Sequence, residues 1–233
     1  MKFDSPLIKG KLIQRYKRFL ADIELENGEV ITAHCANSGS MMGLKEANAD
    51  VYVSPATNPK RKLKYTWELV KVNGNWVGVN TSLPNKIVAE AIEAGKIEPL
   101  LGYSQLKQEV KYSTNSRIDI LLSDDNKPDC YVEVKSVTLS RNPHLAEFPD
   151  AVTTRGTKHL HDLSLEVQKG NRAVMIYLVQ YENIKEFTIA ADIDNAYAKA
   201  FKIAVLGGVE AYAYICKISP TEITLDKPII IKN

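Results

Sequence analysis

Two stretches decide the fold of this 233-residue chain: Ser116-Arg-Ile-Asp-Ile-Leu-Leu122 and, after a short gap, Tyr131-Val-Glu-Val-Lys-Ser136. Both are rich in β-branched and other apolar residues, which favour strands. Residues i and i+2 of a strand face the same way, so Glu133 and Lys135 share one face. Asp119 lies among apolar residues, where an unpaired carboxylate is costly to bury. The pattern predicts neighbouring strands that bring Asp119 beside Glu133.

Paired carboxylates beside a lysine have a chemical use. A Mg²⁺ ion would relieve the repulsion between Asp119 and Glu133, because Mg²⁺ prefers carboxylate oxygens, water and phosphate. Hydrolysis of a phosphodiester needs a metal-held water and positive charge near the reacting phosphorus. We therefore expect Asp119 and Glu133 to bind Mg²⁺ (or Mn²⁺), with Lys135 beside the nucleophilic water.

An Asp followed fourteen residues later by Glu-x-Lys resembles the PD-(D/E)XK nuclease superfamily. Ile118 stands where the proline of that name would be. The same pattern also arises by chance, and Glu109-Val-Lys111 is a second Glu-x-Lys in this chain. No Asp on a predicted strand precedes Glu109 at a suitable distance, whereas Asp119 precedes Glu133, so we favour the second motif.

The sequence predicts that residues 1–82 form a barrel of short strands. Segments 7–14, 19–25, 30–35, 50–54, 64–72 and 76–79 are strand-like, and Asn27-Gly28 and Asn73-Gly74 supply hairpin turns. Five or six short strands of this size predict an N-terminal OB-like five-stranded β-barrel.

Residues 83–233 have a different pattern. Helices are predicted at 85–95, 155–168 and 193–206, and strands at 105–112, 117–123, 130–139, 172–179 and 209–216. This order predicts a restriction-endonuclease-like mixed sheet flanked by helices. The overall fold class is therefore α+β or α/β with two domains. The segment around 193–216 could alternatively be a helix-turn-helix, but the alternation in 209–215 favours a strand.

Composition limits the classes of protein that fit. The formal net charge of +2, with 45% hydrophobic and 25% charged residues, is typical of a globular protein and gives no global field for nucleic acid. Three distant cysteines argue against disulfide scaffolding and indicate a reducing compartment, so we expect a cytoplasmic protein. No apolar run is long enough to cross a membrane.

The chain resembles the sugar fermentation stimulation protein A (SfsA) family over nearly its whole length. The matching blocks are Arg15–Asp22, His34–Met41, Asn58–Lys62, Tyr65–Leu69, Val79–Thr81, Pro84-Asn85, Glu109–Tyr112, Ser116–Asp119, Cys130–Leu139, Phe148–Thr153 and Arg155–Leu160. This resemblance implies an OB-like domain fused to a nuclease-like domain, non-specific DNA binding and regulation of sugar (maltose) metabolism. The fold implies a metal-dependent nuclease. The alternative is a non-catalytic DNA-binding regulator with a vestigial site.

The resemblance also implies roles for single residues. Asp119, Glu133 and Lys135 match the nuclease triad. Glu90 matches the acidic residue that some of these nucleases add to the metal site, although a solvated helix residue is the alternative. A homodimer is a further possible assembly.

Two basic groups are candidate DNA contacts. Lys60, Arg61 and Lys62 lie close to Tyr65 and Trp67, and basic residues mixed with aromatics suit backbone contact and base stacking. A charged hairpin with core aromatics is the alternative.

The second group is Arg155, Lys158 and His159, at the start of a predicted helix. The first two suit phosphate contact, helped by the helix N-terminus. His159 could hydrogen-bond phosphate or could be structural. His34 and Cys35 are expected to pack in the barrel.

Overall fold

The structure, a computed structural model, describes residues 1–112 and 117–232. Ser116, the first residue of the quoted stretch, and Asn233 lie outside the described residues. Six strands form the first sheet: β1 (Ile8–Tyr16), β2 (Leu20–Leu25), β3 (Val30–His34), β4 (Asp50–Pro55), β5 (Tyr65–Val72) and β6 (Asn75–Gly78).

The first five of these strands close into a barrel. The sheet order is β3-β2-β1-β4-β5-β6, and a parallel contact between His34 and Thr66 joins β3 to β5. β6 extends from β5 through a turn in which Asn73 and Gly74 have φ of 49° and 82°, the positive values of a tight hairpin turn. The predicted five-stranded OB-like barrel is confirmed.

The rest of the chain forms one nine-stranded mixed sheet with helices. Its elements are α1 (Pro84–Glu93), a 3₁₀ turn (Glu98–Leu100), β7 (Gln105–Lys111), β8 (Arg117–Asp124), β9 (Lys127–Val137), β10 (Leu139–Asn142), β11 (Leu145–Phe148), α2 (Thr154–Gln168), β12 (Arg172–Val179), β13 (Glu186–Ile189), α3 (Asn195–Leu206), β14 (Glu210–Ile218) and β15 (Ile223–Lys232). The strand order is β10-β11-β13-β15-β14-β12-β9-β8-β7.

The centre of this sheet is parallel and covered on both faces. β12 pairs in parallel with β9 and with β14, and seven of its eight residues are buried, as expected for a central parallel strand. Val132 and Ile176 share an apolar cluster with α1 residues, whereas Met175 and Tyr177 share one with α2 and α3 residues. Glu133 alternates with Val132 and Val134 and therefore faces the α2 side.

The mixed sheet with helices agrees with the predicted fold class. The helix-turn-helix alternative is wrong, because residues 210–218 form β14. Four strands, β10, β11, β13 and β15, were not predicted.

The two sheets pack directly against each other. The backbone N–H of Gly78 donates to the Gln180 carbonyl at 2.9 Å, and the backbone of Val77 forms an isolated antiparallel β-bridge with that of Tyr181. A Cβ atom on Gly78 would lie 2.8 Å from Gln180 Oε1 and 3.3 Å from Gln180 Cβ, so a larger residue there would require the Gln180 side chain to shift. One apolar cluster continues from the barrel core into the second sheet.

Candidate active site

The candidate site lies where β8 and β9 separate. Their antiparallel ladder ends at the pair Ile120–Val132, although β9 continues along β12 as far as Val137. The backbone N–H of Val134 is therefore not taken by the β8 backbone, and it donates to Asp119 Oδ2 at 2.8 Å. Separation of the strands thus turns Asp119 towards Glu133, as the sequence predicts.

Asp119 is half-buried and sits between two donors. Besides the Val134 contact, its Oδ1 accepts from the side-chain amide of Asn85 in the first turn of α1, at 2.8 Å. Burial and the nearby charge of Glu133 raise the pKa of Asp119 to about 6.

Glu133 is almost fully buried, with 2% of its surface exposed. Its Oε1 accepts from Lys135 Nζ at 2.7 Å and contacts His159 Nδ1. Burial raises the pKa of Glu133, but the charge of Lys135 and the contact with His159 outweigh burial and lower it below its ordinary value. Glu133 Oε2 is buried and has no hydrogen-bond partner within the described residues. A buried carboxylate oxygen of this kind is available to a cation.

His159 supports Glu133 from α2. It is 6% exposed, its Nδ1 faces Glu133, and its Nε2 accepts from Arg155 Nε at 3.3 Å. Lys135 Nζ lies 3.1 Å from the same Nδ1. The structure therefore gives both ring nitrogens of His159 protein partners, which fit a support of Glu133, and its contact with DNA stays a prediction.

The other two cations of this group lie at the surface. Arg155 is exposed in the first turn of α2, whose start is capped by Thr153 Oγ1, 3.0 Å from the Gly156 N–H. Lys158 forms an ion pair with Asp162 one turn later, at 2.5 Å. Arg155 therefore combines an exposed guanidinium, a helix N-terminus and a link through His159 to Glu133.

Glu90 does not join this group of contacts. Its carboxylate pairs with the amino group of Met1 at 2.8 Å. The α1 residue that contacts Asp119 is Asn85, and the metal-ligand role of Glu90 stays a prediction. Asn85 and Glu90 are five positions apart, which on a helix places them on different sides.

Glu109 lies next to Asp119, although its Glu-x-Lys motif was not the one favoured from the sequence. The pairs Gln108–Ile120 and Val110–Ile118 place it opposite Asp119 in the register of β7 and β8. Its exposed carboxylate lies 3.3 Å from the Asn85 amide that also reaches Asp119. The position of Glu109 beside Asp119 depends on the register between β7 and β8. Knowledge of that register would have identified Glu109 as a neighbour.

The carboxylates present fit a Mg²⁺ ion. Within residues 1–112 and 117–232, no group of three or more His, Cys, Asp and Glu side chains is arranged to hold a metal. Mg²⁺ is commonly held by one or two carboxylates together with water and substrate phosphate. Asp119 and the free oxygen of Glu133 meet that requirement.

The basic group on the barrel lies in the segment between β4 and β5. Lys60 and Lys62 are exposed, and Arg61 Nη1 donates to Thr66 Oγ1 at 3.1 Å. Trp67 has no exposed surface, and its Nε1 donates to the Leu69 carbonyl at 2.9 Å. Trp67 is therefore a core residue rather than a stacking platform.

Cys35 is fully buried in the barrel core, as expected from the sequence. None of the helices in the described part of the chain has the length and apolar character needed to cross a bilayer.

Comparison with known proteins agrees with this architecture. A family model described as the SfsA N-terminal OB domain matches residues 13–79, and one described as the sugar fermentation stimulation protein RE domain matches residues 82–222. A sugar fermentation stimulation protein homolog of Paramagnetospirillum magneticum is 53% identical over 229 residues, which cover 98% of this chain and 97% of that protein. A homolog from Ruegeria sp. is 56% identical over 221 residues, covering 94% of this chain and 95% of its own.

A solved structure has the same fold. Pyrococcus furiosus SfsA, determined in complex with Ca²⁺, superposes with a TM-score of 0.90 at 24% identity and covers 100% of this chain and 98% of its own. From the two family models and the high identity to full-length relatives, we conclude that this chain belongs to the sugar fermentation stimulation protein (SfsA) family.

Proposed function

We propose that this protein is a Mg²⁺-dependent nuclease that hydrolyses DNA phosphodiesters. The observation that carries this proposal is the pair Asp119 and Glu133 at the separation of β8 and β9, with Glu133 Oε2 buried and unpartnered in the described chain. Burying two adjacent carboxylates costs stability unless a cation compensates them.

Asp119 and Glu133 would hold the ion. When bound, Mg²⁺ supplies a more acidic water and neutralises charge on the phosphate. The P. furiosus relative was solved with Ca²⁺, which like Mg²⁺ is a hard cation that takes oxygen ligands. That complex supports a divalent cation as the partner of this fold.

The surrounding side chains have positioning roles in this proposal. Lys135, 13% exposed, places its ammonium 2.7 Å from Glu133 Oε1, where it can orient a water and stabilise negative charge. Asn85 fixes the Asp119 carboxylate through Oδ1. His159 fixes Glu133 and is itself linked to Arg155, whose exposed guanidinium is placed to bind a phosphate.

DNA binding in this proposal is non-specific and uses the phosphate backbone. Lys60, Arg61 and Lys62 on the barrel, with Arg155 and Lys158 on α2, supply the cations. The proposed connection with sugar metabolism, including maltose, is regulatory and follows from the family. Residence in the cytoplasm and assembly as a homodimer stay predictions.

The test is cleavage of labelled single- and double-stranded DNA with Mg²⁺ or Mn²⁺. Wild type should cleave at least one substrate, and Lys135→Ala should reduce the rate by at least about 100-fold, since it removes an electrostatic catalyst. Lys111→Ala is the matched control, because it alters the lysine of the other Glu-x-Lys motif. Equal persistence of every substrate with wild type and Lys135→Ala would reject the nuclease.

A second candidate is a non-catalytic DNA-binding regulator. The observation that favours it is that Lys135 and His159 both contact Glu133 Oε1, where the charge of Lys135 offsets part of the negative charge that a metal would need. In that case Asp119→Ala should leave DNA affinity unchanged. Binding should also weaken steeply with salt, with a logarithmic slope of about 0.9 for each phosphate contacted. A salt-independent affinity would exclude this candidate.

A further inference from the structure

A large cavity lies between the barrel and the first turn of α1. Its volume is about 610 Å³. Its walls come from residues 1–5, from the barrel strands and the segment between β4 and β5, and from residues 80–86. A cavity of a few hundred Å³ is of the size that binds small organic ligands.

Residues 1–5 are fixed as one wall of this cavity. The Phe3 N–H donates to the Thr221 carbonyl at 3.1 Å, and the backbone of Lys2 forms an antiparallel β-bridge with that of Glu222. The amino group of Met1 donates to the Ile223 carbonyl at 2.8 Å and pairs with Glu90. The wall is therefore anchored to the second domain, and the cavity is bounded by both domains.

The floor of the cavity is polar and buried. Glu68, 5% exposed, accepts from Ser54 Oγ at 2.6 Å and from Asn80 Nδ2 at 2.9 Å. Thr66 lies beside it and receives a hydrogen bond from Arg61. Burial raises the pKa of Glu68, against the opposing effect of its two donors. A buried carboxylate is costly unless its oxygens are hydrogen-bonded.

The rim of the cavity is cationic. Lys62 and Lys86 are exposed, Arg61 is partly exposed, and Lys2 is exposed on the anchored wall. The rim carries one carboxylate, that of Asp4. An anionic ligand group at the rim would be attracted by several cations at once.

The side walls between floor and rim are apolar. Phe3, Pro55, Leu63 and Leu83 line them, and each is partly exposed. A flat heterocycle could stack between such walls while its polar edge reaches Glu68 and Asn80. The cavity thus combines an anion-binding rim, apolar walls and a hydrogen-bonding floor.

We propose that this cavity binds a nucleotide, with the phosphate held by Arg61, Lys62 and Lys86 and the base edge held by Glu68 and Asn80. A nucleotide is the common ligand that carries a phosphate, a flat ring and ring-edge donors together. It can come from a free mononucleotide or from the end of a single strand. Consecutive residues Asn85 and Lys86 connect the two sites, since Asn85 contacts Asp119 and Lys86 lines the cavity.

The test is calorimetric titration of the full chain without divalent cations, using the four deoxynucleoside 5′-monophosphates. At least one should bind. Deoxyribose 5-phosphate and the matching nucleoside should each bind at least about tenfold more weakly, because each lacks one set of contacts. Absence of binding by all four, or equal binding of deoxyribose 5-phosphate, would overturn the proposal.

Variants locate the binding to the cavity. Lys86→Ala and Lys62→Ala should each weaken binding of the monophosphate by about tenfold, as expected for loss of a charged hydrogen bond. Lys96→Ala and Lys64→Ala are matched controls, since neither side chain lines the cavity. Glu68→Gln should change the ranking of the four bases. Equal effects of Lys86→Ala and Lys96→Ala would overturn the assignment.

Single-stranded oligonucleotides distinguish the two sources. If a strand end is the ligand, a short oligonucleotide should displace the monophosphate and bind more tightly than it. If a free nucleotide is the ligand, the monophosphate should bind and the oligonucleotide should not displace it. Because no metal is present and Asp119→Asn can be used as background, either result is independent of cleavage.

Discussion

The side-chain amide of Asn85 donates to Asp119 Oδ1 at 2.8 Å and so ties the first turn of α1 to β8. The same amide lies 3.3 Å from Glu109 Oε1, across the next strand. One neutral group therefore faces carboxylates from two strands and leaves Asp119 Oδ2 to the Val134 N–H. This contact fixes the orientation of Asp119 relative to Glu133.

Asn85→Ala should weaken the site without unfolding the chain. Partners that orient metal ligands typically contribute 10–100-fold in metal affinity or activity, so we expect Mn²⁺ affinity and DNA cleavage to fall by about that factor. Calorimetry measures the first and a labelled duplex the second. Asn126→Ala, at an exposed turn residue, is the control. Unchanged Mn²⁺ affinity in Asn85→Ala would show that the amide does not orient a metal ligand.

His159→Ala should destabilise the folded protein. The substitution removes a buried partner of Glu133 and leaves Lys135 as the other, so the free energy of unfolding should fall by about 2 kcal/mol. Urea titration followed by circular dichroism measures it. His161→Ala, at an exposed position two residues later on α2, should change stability by less than about 0.5 kcal/mol. Equal effects of the two substitutions would contradict a supporting role for His159.

Asp119 should give the protein a pH-dependent stability. Burial and the charge of Glu133 raise its pKa from 3.8 to about 6, so the folded state binds this proton more tightly than the unfolded state. The stabilising contribution of the protonated form is present below pH 4 and is lost as the pH rises towards 6. The unfolding free energy of wild type relative to Asp119→Asn should therefore fall by about 2 kcal/mol between pH 4 and pH 7, because the carboxyl of the unfolded chain is already partly ionised at pH 4.

Urea titrations at several pH values measure this difference. Comparison with Asp119→Asn cancels the titration of groups that do not interact with Asp119. Asp125→Asn, at an exposed carboxylate, serves as the control. A pH-independent difference between wild type and Asp119→Asn would show that the pKa of Asp119 is not raised.

Trp67 should matter for stability and not for DNA. Because the side chain is fully buried, Trp67→Ala should lower the free energy of unfolding by about 3–5 kcal/mol. Trp67→Phe keeps most of the apolar volume and should bind DNA as tightly as wild type. Fluorescence anisotropy with a labelled oligonucleotide measures the affinity. A tenfold loss of affinity in folded Trp67→Phe would instead indicate stacking on a base.

Local sequence patterns were sufficient for the barrel and for the central acid pair. Alternation of apolar and polar residues predicts the strands, and Asn73-Gly74 predicts a hairpin turn. Both signals come from residues that are adjacent in the sequence. Asp119 and Glu133 were predicted as neighbours because the strands carrying them are apolar and close in sequence. The structure places the Asp119 carboxylate on the Val134 N–H, as that neighbourhood requires.

Contacts that depend on tertiary register were not predictable in this way. Asn85 reaches Asp119 only because α1 begins at the separation of β8 and β9, and Glu109 lies opposite Asp119 only through pairing of β7 with β8. β11 and β13 are four-residue strands without a strong periodic pattern. The pairing of Glu90 with the Met1 amino group was not predictable, because a helical face shows which side is buried but not which partner lies there.

The packing of Gly78 against Gln180 has a consequence for how the molecule unfolds. Val77, Gly78 and the shared apolar cluster join the barrel to the second sheet without a free linker. A chain truncated to residues 83–233 would expose the surface that now receives β6. The two parts recognised by separate family models should therefore melt in a single calorimetric transition and act as one cooperative folding unit.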